Sequence, residues 1–529
     1  MTQKEQILSY LELGNYLTEK YAKEELKCAS PRKIISRLKD DGYNIQLSEL
    51  GYFLNVQKKE SDLTYEDFIA SKEFSIINVP IEINREDLNP NLFEYQKDLI
   101  YLALKKGKFA LFAMTGTGKT AMQGEWCYQV NIFTNEPVII FAPLSVAPQT
   151  IQEVKEILGY EVNYCESQED VINGINISNY EKLHKFDLSV FSGVALDESS
   201  ILKSFISSTT EAIIEGFRHT KYKLACTATP APNDYIELGN HSEFLNVMGR
   251  SEMLATFFVH DGGETSKWRL KGHARDKFWE WVSHWAVLFT KPSDIGYSEE
   301  EDAKFALPNI NFYEHIVPSK ASGGSLFAID ASTLNERRQA RRDSLNERCS
   351  LTSEIVNNSN DIFIAWCDLN IENDLLNKVI NDSVAIKGSD TDNHKIKAAS
   401  DFKQNKIKCL ITKPSMFGFG QNWQNSHNMV FTGLSDSFEQ IFQAIRRCYR
   451  YGQKNDVNVH FVISEAEGNV LKNYRRKEKQ FLEMIDELVV FTKKFTLKEI
   501  KSISNETLEY DPQVDMIIPK FLKSENLYA

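Results

Sequence analysis

A chain of 529 residues with 42% apolar, 11% aromatic and 26% charged residues is long enough for about three or four cores of ordinary globular composition. Its 61 basic and 74 acidic residues give a net charge of −13, which excludes an extended positive coat and confines nucleic-acid contact to a local channel. The eight cysteines form no Cys-x-x-Cys pair and the ten histidines no His-Glu-x-x-His motif, which argues against a disulfide framework or a zinc centre. No apolar run approaches the roughly 18 residues of a membrane helix, and Met1 to Gln6 lack a signal-peptide core. A reduced cytoplasmic protein without membrane contact is expected.

Residues 1–60 read as a module of their own. Ile7, Leu8 and Leu11 recur at helical spacing, Thr18 caps a second helix, and Ser30-Pro31 starts a third. Two strands around a turn near Gly51 follow, so the module has the order of a winged helix. Its third helix presents Arg32, Lys33 and Arg37, cations suited to phosphate or base edges, although a solvated basic face has the same pattern. Residues 61–85 form a linker.

From residue 86 to 245, apolar runs alternate with helical segments: Phe109 to Met114, Val138 to Ala142, Gly174 to Ile177, Gly193 to Leu196 and Lys223 to Thr227. This is the rhythm of a parallel sheet covered by helices. Residues 246–304 hold four of the seven tryptophans and read as a helical insert, with Phe278, Trp281, Trp285 and Leu288 at helical core spacing. A second alternating stretch, 305–465, includes Ile362 to Trp366, Cys409 to Thr412, Met429 to Thr432 and Val457 to Ile463. Residues 466–529 read as a charged helical tail. Arg337, Arg338, Arg341, Arg342 and Arg348 fall on one expected helix, as a phosphate track or a solvated face. Lys267, Arg269 and Lys271 beside Trp268 are a further candidate for nucleic acid.

The chemistry concentrates at strand ends. Ala113 to Thr120 fits the phosphate-binding loop except that Ala113 replaces the first glycine. Backbone N–H groups from Thr115 through Gly118 can face phosphate oxygens, Lys119 supplies a point charge, and Thr120 offers a hydroxyl to magnesium. The apolar run Val194 to Leu196 then delivers Asp197 and Glu198, a magnesium holder and a general base.

These residues resemble superfamily 2 helicases, most closely the Swi/Snf-like branch and phage-encoded DEAD/DEAH-box helicases; the first fifty residues resemble small phage helix-turn-helix domains. Leu92 to Gln96 is similar to the adenine-recognition motif, which implies that Gln96 reads the base. Ala142 to Val146 and Ser178 to Glu181 resemble nucleic-acid-contacting motifs, implicating Pro143, Ser145 and Asn179. Asp197-Glu198-Ser199-Ser200 stands where DEAD or DEAH would be, and Thr227-Ala228-Thr229-Pro230 resembles the element coupling hydrolysis to lobe movement. Gly418 to Asn422 resembles the glycine motif that lines ATP, here through Gly420. Gln443 to Gln453 is close to the arginine-finger motif, assigning coupling to Gln443 and the fingers to Arg447 and Arg450, placed on one helix face.

The resemblance implies an α/β fold of two tandem RecA-like lobes of the P-loop NTPase type, with ATP and Mg2+ as cofactors. It implies an ATP-dependent DNA helicase or translocase serving replication, recombination or repair in a phage or bacterium. DNA is the favoured partner, and the N-terminal module is a candidate contact for a protein as well. Two other readings stay open: a nucleotide-gated DNA-binding or recruitment protein, and the motor subunit of a restriction or defence system.

Overall fold

The computed structural model describes residues 3–12, 17–26, 28, 30–40, 45–48, 51–54 and 80–503, apart from 145, 205–206, 262–263, 319–338, 340, 418–421 and 436. The sequence expectations for Ser145, Gly420, Arg337 and Arg338, and for the tail beyond residue 503, lie outside the described residues.

The chain divides into two compact units, 1–76 and 77–529. In the first, helices Gln3–Glu12, Glu19–Glu24 and Pro31–Asp40 precede an antiparallel hairpin of β1 (Ile45–Ser48) and β2 (Gly51–Leu54). The Thr18 hydroxyl caps the second helix by accepting from the Tyr21 amide at 3.1 Å. Leu17 adds an antiparallel bridge to Tyr52, tying the helices to the hairpin. Ile7, Leu11, Leu17, Ile35, Leu38 and Ile45 form the buried core, and Arg32, Lys33 and Arg37 are exposed on the third helix.

The second unit contains two parallel sheets. The first comprises β3 (Lys108–Ala113), β4 (Val138–Ala142), β5 (Val162–Tyr164), β6 (Ile175–Asn179), β7 (Gly193–Asp197) and β8 (Tyr222–Thr227). After the small hairpin of β9 (Phe258–Asp261) and β10 (Glu264–Leu270), β11 (Ala286–Phe289) completes it, in the order β11-β3-β8-β7-β4-β6-β5. The second comprises β12 (Ile310–Val317), β13 (Phe363–Cys367), β14 (Ser383–Ala385), β15 (Cys409–Thr412), β16 (Asn428–Thr432) and β17 (Val457–Ser464), ordered β12-β17-β16-β13-β15-β14. All pairings in both sheets are parallel. These are two tandem RecA-like lobes, and β3, β4, β7 and β8 are buried almost throughout because helices cover both faces.

Two expectations need correction. The stretch 246–304 is not purely helical: it holds the β9–β10 hairpin, and its helix Arg275–Trp285 ends before β11, which pairs with β3. Leu288 therefore belongs to the first lobe's sheet. Trp279, Trp281 and Trp285 are fully buried, and Lys271 donates to the carbonyls of Ala255 and Thr256, both at 2.9 Å, at the end of helix Arg250–Phe257. The second correction concerns the arginines of the second lobe. Arg341 and Arg348 are buried, not solvated. Arg348 Nη1 meets Glu372 at 2.6 Å and donates to the Thr432 carbonyl at 2.9 Å; Arg341 meets Glu467 at 3.0 Å and Asp368 at 2.6 Å. Their acidic partners lie far along the chain, so no local charge pattern announced them.

Removing one member of a buried ion network leaves an uncompensated charge. Arg348→Ala should lower stability by about 3–5 kcal/mol and Arg348→Met by less, read as the shift in urea midpoint. A loss below about 1 kcal/mol for the alanine variant would mean that the network is not structural.

Candidate functional site

The carboxyl ends of β3 and β7 lead into one cavity of about 390 Å³ between the lobes. From the first lobe it is lined by Gln96, Thr115, Gly116, Gly118, Lys119, Thr120, Asp197 and Glu198, and from the second by Arg447 and Arg450. Stretches more than 200 residues apart are thereby joined at one seam. Gly116 and Gly118 have φ of 93° and 79°, which glycine alone adopts without strain. Space demands glycine too: a Cβ on Gly116 would lie 2.8 Å from the Tyr451 amide nitrogen, and one on Gly118 2.2 Å from Gln96 Nε2.

The order of the first sheet explains how the acids reach the loop. β8 lies between β3 and β7, so Thr227 stands between the Lys119 loop and Glu198. Its hydroxyl donates to Glu198 Oε2 at 3.3 Å and accepts from the Thr229 amide at 3.1 Å. Glu198 has left-handed backbone (φ 54°, ψ 54°), a conformation costing about 1–2 kcal/mol for an L-residue.

Burial sets the electrostatics. The Asp197 carboxyl is pushed up to about 7 by burial, with Glu198 adding and Lys119 opposing. Burial lowers Lys119, opposed by Glu198 and Asp197, and its ammonium donates to the Ala113 carbonyl at 2.8 Å. Burial lowers Arg447 to about 10, with Arg450 adding and Glu198 opposing, and lowers Arg450 as well.

Across the seam, Gln443 Nε2 lies 3.5 Å from the Thr229 hydroxyl, while Gln443 Oε1 accepts from Arg447 at 3.1 Å. A hydrogen-bonded chain thus runs from Glu198 through Thr227, Thr229 and Gln443 to Arg447. The helix Phe438–Ile445 stops before the arginines, so Arg447 and Arg450 sit on the turn that follows it rather than on one helix face. Arg446 lies over the rings of Phe442 and Tyr449, at 5.0 and 5.1 Å, a packing role.

Other expected residues stand differently. Gln96 is buried and its carboxamide is committed: it accepts from the Phe93 amide at 3.0 Å and donates to the Thr117 carbonyl at 3.2 Å, bracing the loop. Asn179 is also buried and donates to the Tyr164 hydroxyl at 3.0 Å. Pro143 is half-buried beside exposed Leu144.

Sequence reasoning missed several lining residues. Gln149, Thr150 and Glu153 enter from helix Ala147–Leu158, and Phe305 from the connection between the lobes. Phe305 packs on Phe93 at 5.3 Å and on Tyr451 at 5.2 Å. Spacing offers no signal for these. Asn422, the last residue of the glycine motif, and Gln424, two residues beyond it, also line the cavity.

Thr120 and Asp197 offer hard oxygen ligands on the same wall as Lys119, a donor set that fits magnesium held jointly with phosphate. Among the described residues no cluster of three or more His, Cys, Asp or Glu could hold a metal by itself, and no helix is long and apolar enough to cross a membrane.

No family model and no curated protein matches the chain. Among solved structures, S. cerevisiae Dbp5 bound to RNA and ADP BeF3 aligns at 12% identity with a TM-score of 0.46, covering 75% of this chain and 93% of that one. A likeness of that size carries no functional weight, and the cavity's chemistry rests on the residues described above.

Behind the acid pair, the Ser199 hydroxyl lies 3.1 Å from Nε2 of His241, a fully buried ring whose pKa burial lowers to about 4. At this ring the unfolded chain therefore binds the extra proton between about pH 6.5 and 4, so His241's own contribution to stability falls as pH drops through that window, while the raised Asp197 contributes with the opposite sign. The loss should approach about 3 kcal/mol by pH 4 and be smaller in His241→Gln, as read by thermal melts across pH. Parallel melting curves for the two proteins from pH 7 to 4 would contradict it.

Proposed function

We propose that the chain is a nucleic-acid-stimulated ATPase that couples hydrolysis to movement along DNA, as a translocase or helicase. One observation carries this reading: Lys119, Thr120, Asp197 and Glu198 of one lobe face Arg447 and Arg450 of the other across a single cavity. Phosphoryl transfer depends chiefly on positioning and charge stabilisation, and this arrangement offers both.

Backbone amides of the 115–118 loop and the Lys119 ammonium bind the phosphates. Thr120 and Asp197 would hold the divalent ion, which when bound would neutralise phosphate charge. Glu198 Oε accepts the proton of the attacking water, with Thr227 steadying the other side of that carboxylate. Arg447 and Arg450 stabilise charge building on the transferred group. Because the arginines come from the second lobe, turnover requires the lobes to meet, and a nucleic-acid track held by both would gate it. The acidic net charge favours a confined track over a broad basic surface.

Steady-state ATPase with single-stranded, duplex and forked DNA and with RNA side by side tests the reading. DNA should stimulate hydrolysis most, and Lys119→Ala or Glu198→Gln should lower kcat at least about 100-fold. Unimpaired turnover in both variants would sink the assignment.

The first unit is proposed as a winged-helix module that adds affinity for DNA through Arg32, Lys33 and Arg37. Replacing all three by alanine should flatten the dependence of log K on log salt by about 2–3 units of slope. An unchanged slope would assign the basic helix to solvent or to a protein partner.

A further inference from the structure

The charged pair Lys203 and Glu439 belongs to no motif of the sequence, yet it spans the seam. Lys203 closes the short helical segment Ser199–Lys203 that follows the acid pair, and Asn240 steadies this segment by donating to the Leu202 carbonyl at 2.5 Å. Glu439 sits in the first turn of helix Phe438–Ile445, one turn before Gln443, where the helix dipole favours a carboxylate. The Lys203 ammonium is bonded to Glu439 Oε2, and the Thr229 hydroxyl donates to Oε1 at 3.4 Å. Glu439 belongs to the second lobe and is 3% exposed, whereas both partners belong to the first.

A buried carboxylate has to be compensated, and here the side chains bonded to it, Lys203 and Thr229, come from the opposite lobe. When the lobes part, water replaces both partners. The pair is therefore conditional on closure, and it fixes how the helix bearing Gln443 and leading to Arg447 lies against Thr229.

We infer that Lys203 and Glu439 form an interlobe latch, with Glu439 a positioning residue that aligns the arginine-bearing segment with the acid pair. The inference rests on the ATPase reading for its kinetic consequence, but its structural consequence is separately measurable.

The asymmetry of a buried pair supplies the test. Lys203→Ala leaves a bare carboxylate in the closed seam, whereas Glu439→Gln leaves an amide still able to accept from Thr229. In the full chain, Lys203→Ala should lower DNA-stimulated kcat about tenfold or more while KM for ATP changes less than about twofold. Glu439→Gln should be milder, and Lys203→Ala/Glu439→Gln should recover to within about threefold of Glu439→Gln alone. Rescue by a second substitution distinguishes a latch from general damage.

All eight native cysteines are buried, so Glu161→Cys and Ile396→Cys, exposed on the two lobes, can take a donor and acceptor dye pair. Energy transfer without nucleotide and with ATP–Mg2+ should show fewer closed molecules in Lys203→Ala and recovery in the double variant. Losses that multiply in the double variant, or an unchanged closed population, overturn the latch. If wild type hydrolyses no ATP with any nucleic acid, the ATPase reading falls, and the energy-transfer comparison alone decides on the latch.

Discussion

Everything in the second unit depends on one constraint: four ionisable side chains, Lys119, Asp197, Arg447 and Arg450, are drawn out of water at a single seam. Burial lowers Lys119, Arg447 and Arg450 and raises Asp197 toward neutrality, so the protein alone holds these charges at a cost. On the proposed reading, a polyanion would compensate the cations and a divalent ion the acids. The desolvation that penalises the empty arrangement would strengthen every contact to a triphosphate and its metal. Neither lobe achieves this alone, because the first supplies the acids and one cation while the second supplies the arginines.

On the first lobe's side, the hydrogen-bonded chain that reaches Gln443 is made of short hydroxyls. Placing β8 between β3 and β7 puts Thr227 and Thr229 between the acid pair and the second lobe, with no more than a few ångströms per link. Hydroxyls both donate and accept, so one bond can be exchanged for another as the lobes shift. The buried carboxylate of Glu439 adds a charged anchor beside this chain, which makes the alignment sensitive to closure rather than merely permissive of it.

The sequence reveals the parts buried on both faces and those whose spacing is fixed by phosphate chemistry. The runs forming β3, β4, β7, β8, β13 and β16 are apolar nearly throughout, so their positions and the motif residues at their ends were legible. The edge strands β5 and β14 were not: each has only three residues and is partly exposed, too short for a period to show. β11 hid for another reason, since Leu288 continued the apparent helical stripe of Phe278, Trp281 and Trp285. Arg341 and Arg348 could not be told from a solvated face because Glu372 and Glu467 reach them only through the fold. Gln96 and Asn179 were found by motif, yet burial and hydrogen bonding turn both toward structural work in this conformation. Glu439 did carry a signal, one helical turn ahead of Gln443, but a lone acid on a helix face says nothing without its partner.

The last helix makes interlobe alignment a property of the whole unit. Helix Gly468–Ile503, about 54 Å long at 1.5 Å per residue, leaves the second lobe after β17 and runs back over the first. Near its start, Tyr474 packs on Phe438 at 5.6 Å and Phe481 on Phe442 at 5.1 Å, both on the helix that bears Glu439 and Gln443. Farther along, Glu487 pairs with Arg275 and Lys493 donates to the Ser293 carbonyl at 2.9 Å. Arg275 begins the tryptophan-rich helix, whose buried rings root it in the first lobe. The helix that positions Gln443 is thus held from two sides, by the latch at the seam and by an aromatic seat on a strut anchored in the opposite lobe. Parting the lobes has to bend or slide that strut as well as break the ion pair. Closed and open arrangements should then be separated by a cooperative step, because packed aromatic contacts and buried ion pairs are lost together rather than stretched one by one.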